Sequence, residues 1–196
     1  MISHIHKFIF VHINKNGGTS IRNNLSKYCS HQKYKHEMLF KKIPNNNVNN
    51  SNENLFEKCR FPFDYYFKFT FVRNPWDRVL SNYFFAKQVW NLDCSFEYYV
   101  KDYLNIYKNK FINLNQLDWI TDFKHNVRLD FIGRFENLQN DYDFVCNKIK
   151  IPQHKLLHKN KSVHNHYTEY YNKETKQIVA KKYAKDIEYF EYKFGE

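Results

Sequence analysis

Two short stretches of this sequence combine residue types that hold oxyanions. The first is Lys15-Asn16-Gly17-Gly18-Thr19-Ser20. It follows a nearly continuous apolar run from Lys7 to Ile13, and Ile21, Leu25 and Tyr28 come after it at helical spacing. A buried strand therefore ends, adjacent glycines let the backbone turn sharply, and a helix starts with Thr19 and Ser20. Amides at a helix N-terminus favour negative charge, and Lys15 and the hydroxyls add a cation and further donors. Phosphate or sulfate suits such a loop; an ordinary strand-to-helix turn is the alternative. The loop is not of Walker A type, which needs GxxxxGK[ST] with the lysine after the glycines. Here the lysine comes first.

The second stretch is Phe71-Val72-Arg73-Asn74-Pro75-Trp76-Asp77-Arg78-Val79-Leu80-Ser81. Arg73 stands where a strand gives way to a helix, the edge at which open α/β folds bind ligands. Ser81 lies seven residues beyond Asn74, so it returns to the same helix face roughly 10 Å along. An arginine fork below and a hydroxyl above suit the gripping of one phosphate. Against this stands a structural ion pair for Arg73 and a plain surface position for Ser81; Asp77 and Arg78 are read as structural.

The elements that must position these groups follow from the apolar pattern. Phe67, Phe69 and Phe71 alternate with Lys68 and Thr70, which predicts a strand. Asn74 is an N-cap with proline at the first helical position, and Trp76, Val79, Leu80 and Tyr83 mark that helix's buried face. Residues 95–125 read as helical, with ends the pattern does not mark. Leu129 to Ile132 is a third strand, leading through Gly133-Arg134-Phe135-Glu136 into a helix over 138–149. Val179, Tyr183, Ile187, Phe190 and Phe194 stripe one last helix. Strands alternating with helices predict an α/β fold with a mostly parallel sheet, and 196 residues suit one domain spanning 1–196. Residues 45–54 (NNNVNNSNEN) form an Asn-rich surface insertion with no apolar area to bury.

Composition narrows the partners. The formal charge is +11, from 31 basic and 20 acidic side chains. That balance suits nucleotide phosphates, acidic polysaccharide, nucleic acid or anionic lipid, or simply a basic surface with no dedicated partner. Cys29, Cys59, Cys94 and Cys146 are scattered with no CxxC pair, so metal and disulfide frameworks are set aside. There is no signal-type apolar segment and no run of 18 apolar residues, so a soluble, cytoplasmic protein without a membrane span is the expectation. Nothing in the pattern specifies an oligomer.

With both stretches in view, the sequence resembles the PAPS-dependent sulfotransferases, which use 3'-phosphoadenosine-5'-phosphosulfate (PAPS) as donor. Lys15–Ser20 is similar to their 5'-phosphosulfate loop, and Val72–Ser81 to their 3'-phosphate motif, with arginine and serine at the family's separation. The likeness continues through Asp130–Leu138, Asn160-Lys161-Ser162 with Tyr167, and Asp186–Phe194, and is nearest to the carbohydrate branch with the heparan and chondroitin enzymes and small bacterial homologues. The resemblance implies a P-loop-like three-layer α/β fold and metal-free in-line transfer of sulfuryl from PAPS to a hydroxyl group, leaving PAP. It implies that Lys15 and the loop amides stabilise charge on the departing bridging oxygen, and that Arg73, Ser81, Lys161 and Ser162 hold the 3'-phosphate.

Histidine suits the base that takes the acceptor proton. His36, in Tyr34-Lys35-His36-Glu37, falls between the two motifs, where related enzymes carry a catalytic histidine; Glu37 and His31 are alternatives. His164 and His166 read as surface residues or nucleotide neighbours, and Glu136 as structural. Gln116, Asp118 and Trp119 are candidates for lining an acceptor site, and Trp119 equally for core. The acceptor implied is a carbohydrate, an acidic glycan fitting the charge. Rival readings are a P-loop-type phosphotransferase, a nucleic-acid-binding protein, and a non-catalytic binder of anionic glycans. The absent Walker lysine opposes the first. The dispersal of basic residues, with no recognised nucleic-acid motif, opposes the second.

Overall fold

The computed structural model describes residues 1–29, 38–40, 54–104, 111–157 and 164–196. The chain folds as two compact units, Met1–Val72 with Gln116–Lys159, and Arg73–Asn115 with Asn160–Glu196.

The first unit carries a sheet of four strands in the order β1 (Ile2–Ser3), β2 (Phe8–Val11), β3 (Phe67–Val72), β4 (Phe131–Arg134). β1 pairs antiparallel with β2; the β2–β3 and β3–β4 pairs are parallel. Alternation along the strands puts Phe8, Phe10, Phe69 and Phe71 into one core. Into that core pack Ile21 and Leu25 of α1 (Gly18–Leu25) and Tyr142, Val145 and Cys146 of a later helix, Leu138–Lys148. The Phe10 and Phe69 rings stack with centroids 5.2 Å apart. This is the α/β fold with a central, mostly parallel sheet that the alternation of elements predicts.

β4 starts and ends two residues later than its apolar pattern suggests. Asp130 turns its carboxylate onto the Lys68 amide at 2.7 Å, so regular pairing begins at Phe131 opposite Phe69. Gly133 belongs to the strand because the Phe71 ring lies over it, where a Cβ would collide. Of the Asn-rich tract, residues 45–53 lie outside the described residues. Asn54 at its end is buried and donates to the Phe40 carbonyl at 2.8 Å, so it is no part of a surface insertion.

The second unit is helical. α2 (Pro75–Trp90) begins as expected, with Asn74 Oδ1 accepting from the Trp76 amide and Pro75 in the first turn. Trp76, Val79, Leu80 and Tyr83 are buried. Among the described residues of 95–125, the helical expectation holds at the start and again in a 3-10 turn, Leu117–Trp119. Ser95 caps α3 (Phe96–Tyr98), which runs on as a π-helical stretch to Tyr103. The carbonyls of Phe111, Ile112 and Leu114 accept from side chains: Arg78 donates to Phe111 and Leu114, and the Tyr183 hydroxyl to Ile112. In the first unit, Asp122 Oδ1 accepts from the amides of Lys124 and Asn126, an Asx turn that also replaces helix.

The expected last helix is two. The Leu138–Lys148 helix is α4; α5 (Lys173–Lys182) and α6 (Ala184–Phe190) break at Tyr183, whose φ of −112° and ψ of 29° leave the helical region. Its buried ring, with the Arg78 guanidinium 5.9 Å from the centroid, fixes that break. Phe194 lies beyond α6 and packs on Trp76, with centroids 5.5 Å apart. All four cysteines are free thiols, and burial pushes Cys29 and Cys59 up to about 11, so neither is an activated nucleophile. No helix among the described residues is long and apolar enough to cross a membrane.

Candidate functional site

In the first unit the loop after β2 is built by two left-handed residues, Lys15 (φ 67°) and Gly17 (φ 74°). Gly17 caps α1, its carbonyl accepting from the amides of Ser20 at 3.1 Å and Ile21 at 3.4 Å. Left-handed residues in a tight turn gather backbone N–H groups into an anion-sized concavity, and the α1 dipole points the same sign of potential outward. Gly17 tolerates this φ, which a lysine adopts only at a cost of about 1–2 kcal/mol. Strain of this kind concentrates where function requires it.

Burial splits the six loop residues. Lys15, Gly17 and Thr19 stay half-exposed, while Asn16, Gly18 and Ser20 are buried. The buried set is structural in its side chains. Asn16 Nδ2 donates to the Phe71 carbonyl at 2.8 Å and to Gln116 Oε1 at 2.7 Å. The Ser20 hydroxyl donates to the Leu157 carbonyl at 2.6 Å. Gly18 leaves room for the imidazole of His12, which stacks on Phe10 at 5.7 Å.

His12 is a residue the sequence reading missed. The signal was its place in the period-two series Phe8, Phe10, His12, which turns it to the core side beneath α1. Substituting Gly18→Ala drives a Cβ into that ring, so we expect a loss of about 1–3 kcal/mol, the usual cost of overpacking. The melting temperature should fall by about 2–4 °C per kcal/mol. Adding His12→Ala to Gly18→Ala should recover most of that loss in a thermal melt, whereas an additive double variant would mean that the ring is not what excludes the methyl group.

In the second unit Arg73 immediately precedes the cap of α2 and is buried. Its Nε meets Asp77 Oδ2 at 2.7 Å, with side-chain exposures of 10% and 16%. The structural ion pair is therefore real, and it places the guanidinium firmly. Asn74 works twice: Oδ1 caps the helix, and Nδ2 holds the Lys193 carbonyl at 2.8 Å. Ser81 lies on α2 and is half-buried. Arg78 is fully buried, as its structural reading requires.

The remaining candidates separate clearly. His36, its alternatives His31 and Glu37, and Lys161 and Ser162 lie outside the described residues. His164 stacks flat on Phe84 with centroids 4.8 Å apart, and His166 Nδ1 meets the Thr168 hydroxyl at 2.8 Å. Gln116 and Trp119 are wholly buried, so neither presents a face to an acceptor; Trp119 is core. Among the described residues no cluster of three or more His, Cys, Asp or Glu could hold a metal ion.

Strand, left-handed loop and helix on a mostly parallel sheet define a P-loop-like α/β protein. The chain belongs to the sulfotransferase family, whose model matches residues 1–193. Sulfuryl transfer is accordingly its chemistry. It is also similar to a protein of Archaeoglobus fulgidus described only as uncharacterized, with 36% identity over 94 residues, covering 46% of this chain and 73% of that protein. No solved structure matches it.

Proposed function

We propose that this protein transfers the sulfuryl group of PAPS to a hydroxyl group of a carbohydrate, as in the heparan- and chondroitin-type branch and its small bacterial homologues. The observation that carries the donor half is the Lys15–Ser20 loop: a left-handed, half-exposed lysine and glycine at the start of a helix, held from behind by buried neighbours. Both units act as a single sulfotransferase domain in this reading, which the family match over 1–193 supports.

PAPS supplies a sulfuryl group on a good leaving group. The acceptor oxygen forms a bond to sulfur while the bond from sulfur to the bridging oxygen breaks, and the electron pair stays with PAP. Lys15 and the amides of the loop, from Asn16 to Thr19, meet the charge that grows on that oxygen, an interaction stronger in the transition state than before it. Lys15 and Thr19 do this with their side chains; Asn16, Gly17, Gly18 and Ser20 serve through backbone and shape. Arg73 and Ser81, with Lys161 and Ser162, hold the 3'-phosphate. His36 takes the acceptor proton. No metal takes part. The excess of 11 positive charges favours an acidic glycan as acceptor.

The test is transfer of radiolabelled sulfate from PAPS to a panel of glycans, in the presence of a chelator. Labelled glycan is expected for the wild type. His36→Ala should lose on the order of 10²–10⁴ in turnover, the usual contribution of a general base, with PAP affinity unchanged. Tight ATP binding without PAP binding would overturn the donor assignment, and a fully active His36→Ala the base.

A further inference from the structure

The buried side-chain contact between Asn16 and Gln116 has no part in the roles given above, in which Asn16 serves through its backbone. Asn16 sits between the two left-handed residues of the loop, so its backbone position sets the direction of the amides on either side. It is only 1% exposed, and Gln116, one hundred residues away, is 0% exposed. Regular pairing of β2 with β3 stops at Val11 opposite Thr70. The next carbonyl of β3, that of Phe71, is taken by Asn16 Nδ2 instead. A carbonyl accepts only, so the atom facing it is the amide nitrogen, and Gln116 must then present its oxygen to the same nitrogen. Both protons of the Asn16 amide are thereby spent, one on the sheet and one on Gln116. The Asn16 oxygen is buried and has no hydrogen-bond partner among the described residues.

We infer that Gln116 is a positioning residue for sulfuryl transfer: through Asn16 it ties the tip of the anion-receiving loop to the carboxyl end of β3 and holds Lys15 and Gly17 in their left-handed conformations. It does not touch donor or acceptor. The assignment rests on the donor reading of the loop for its catalytic consequence, but not for the strut itself. Its burial sets it apart from the acceptor-lining role for which it is a candidate in the sequence.

Three variants separate the strut from mere filling of space. Gln116→Met keeps length and removes the acceptor. Gln116→Glu keeps an oxygen where Asn16 needs one. Asn16→Ala removes the donor. We expect Gln116→Met to weaken PAP binding in calorimetry about tenfold, the scale of one hydrogen bond. Its kcat should fall by about 10²-fold, since misplacing reacting groups by about 1 Å costs that much. Gln116→Glu should bind PAP nearly as wild type at low pH and lose affinity as pH rises, because an ionised carboxylate then lies behind an anion site. Wild type should show no such slope between the same limits. The double variant Asn16→Ala/Gln116→Met should be no worse than the worse single one, both in kcat and in a ligand-free thermal melt.

Wild-type kcat and PAP affinity in Gln116→Met, or additive losses in the double variant, would overturn the assignment. If wild type itself binds no PAP, the donor reading falls instead, and the ligand-free melts still decide the strut: coupled losses uphold it and additive losses end it. Circular dichroism of each variant confirms that the folded protein is what is compared.

Discussion

Replacing Lys15 with methionine should lower turnover of PAPS by about 10²–10³-fold, the cost of removing one donor aimed at developing charge. Affinity for PAP should change far less, because the charge in question builds only as the bridging oxygen departs. Methionine keeps the length of the side chain and, like lysine, must accept a φ of 67°, so stability should stay near that of wild type. Lys15→Gly makes the complementary test. Relief of a left-handed side chain is worth about 1–2 kcal/mol, and the added freedom of the unfolded chain returns about 0.4–1 kcal/mol of it. The glycine variant should thus be more stable than wild type by roughly 0.5–1 kcal/mol while losing as much turnover as the methionine variant. A stabilised but inactive enzyme would show that the strain at Lys15 is retained for its cation. If instead Lys15→Met keeps its turnover, the lysine is only a turn residue.

Parts of this architecture that depend on neighbouring residues were legible in the sequence. The Phe-Lys-Phe-Thr-Phe alternation marked β3, and Asn74-Pro75 marked the start of α2, because alternation and capping are settled within a few residues. The strand-loop-helix around Lys15 was legible for the same reason. The division of that loop into a half-exposed and a buried set was not, because a turn has no period to announce which side faces the core. The failures share one cause. Tyr183 continues a helical stripe, yet its ring is fixed by Ile112 and Arg78, over 70 residues of chain for the first contact. Residues 111–115 fall in a stretch read as helical, yet the carbonyls of Phe111, Ile112 and Leu114 are engaged from α2 and Tyr183. Gln116 reads as a candidate for lining an acceptor site, and only its burial against Asn16 shows otherwise. Each error concerns a polar group whose partner is distant in sequence, where local propensity has nothing to say.

The other large effect falls on Arg73, where two roles coincide and two substitutions part them. Arg73→Ala removes the fork assigned to the 3'-phosphate and also strips Asp77 of its cation at a position only 16% exposed. Breaking a buried pair on one side costs about 3–5 kcal/mol, and the residual exposure of both partners sets the expectation at the lower end. PAP affinity should fall by about 10²-fold, on the scale of about 1.5–3 kcal/mol for a hydrogen bond to a charged group. Asp77→Asn keeps the arginine and loosens its anchor, so it should weaken PAP binding by less than tenfold, consistent with a positioned guanidinium. The double variant Arg73→Ala/Asp77→Asn removes the unpaired carboxylate, so it should regain most of the lost melting temperature. It should regain none of the lost PAP affinity. Recovery of stability without recovery of binding is the signature of an arginine that serves helix and ligand separately. Were the double variant to bind PAP as wild type does, Arg73 would be an element of α2 alone and the 3'-phosphate would have to be held elsewhere.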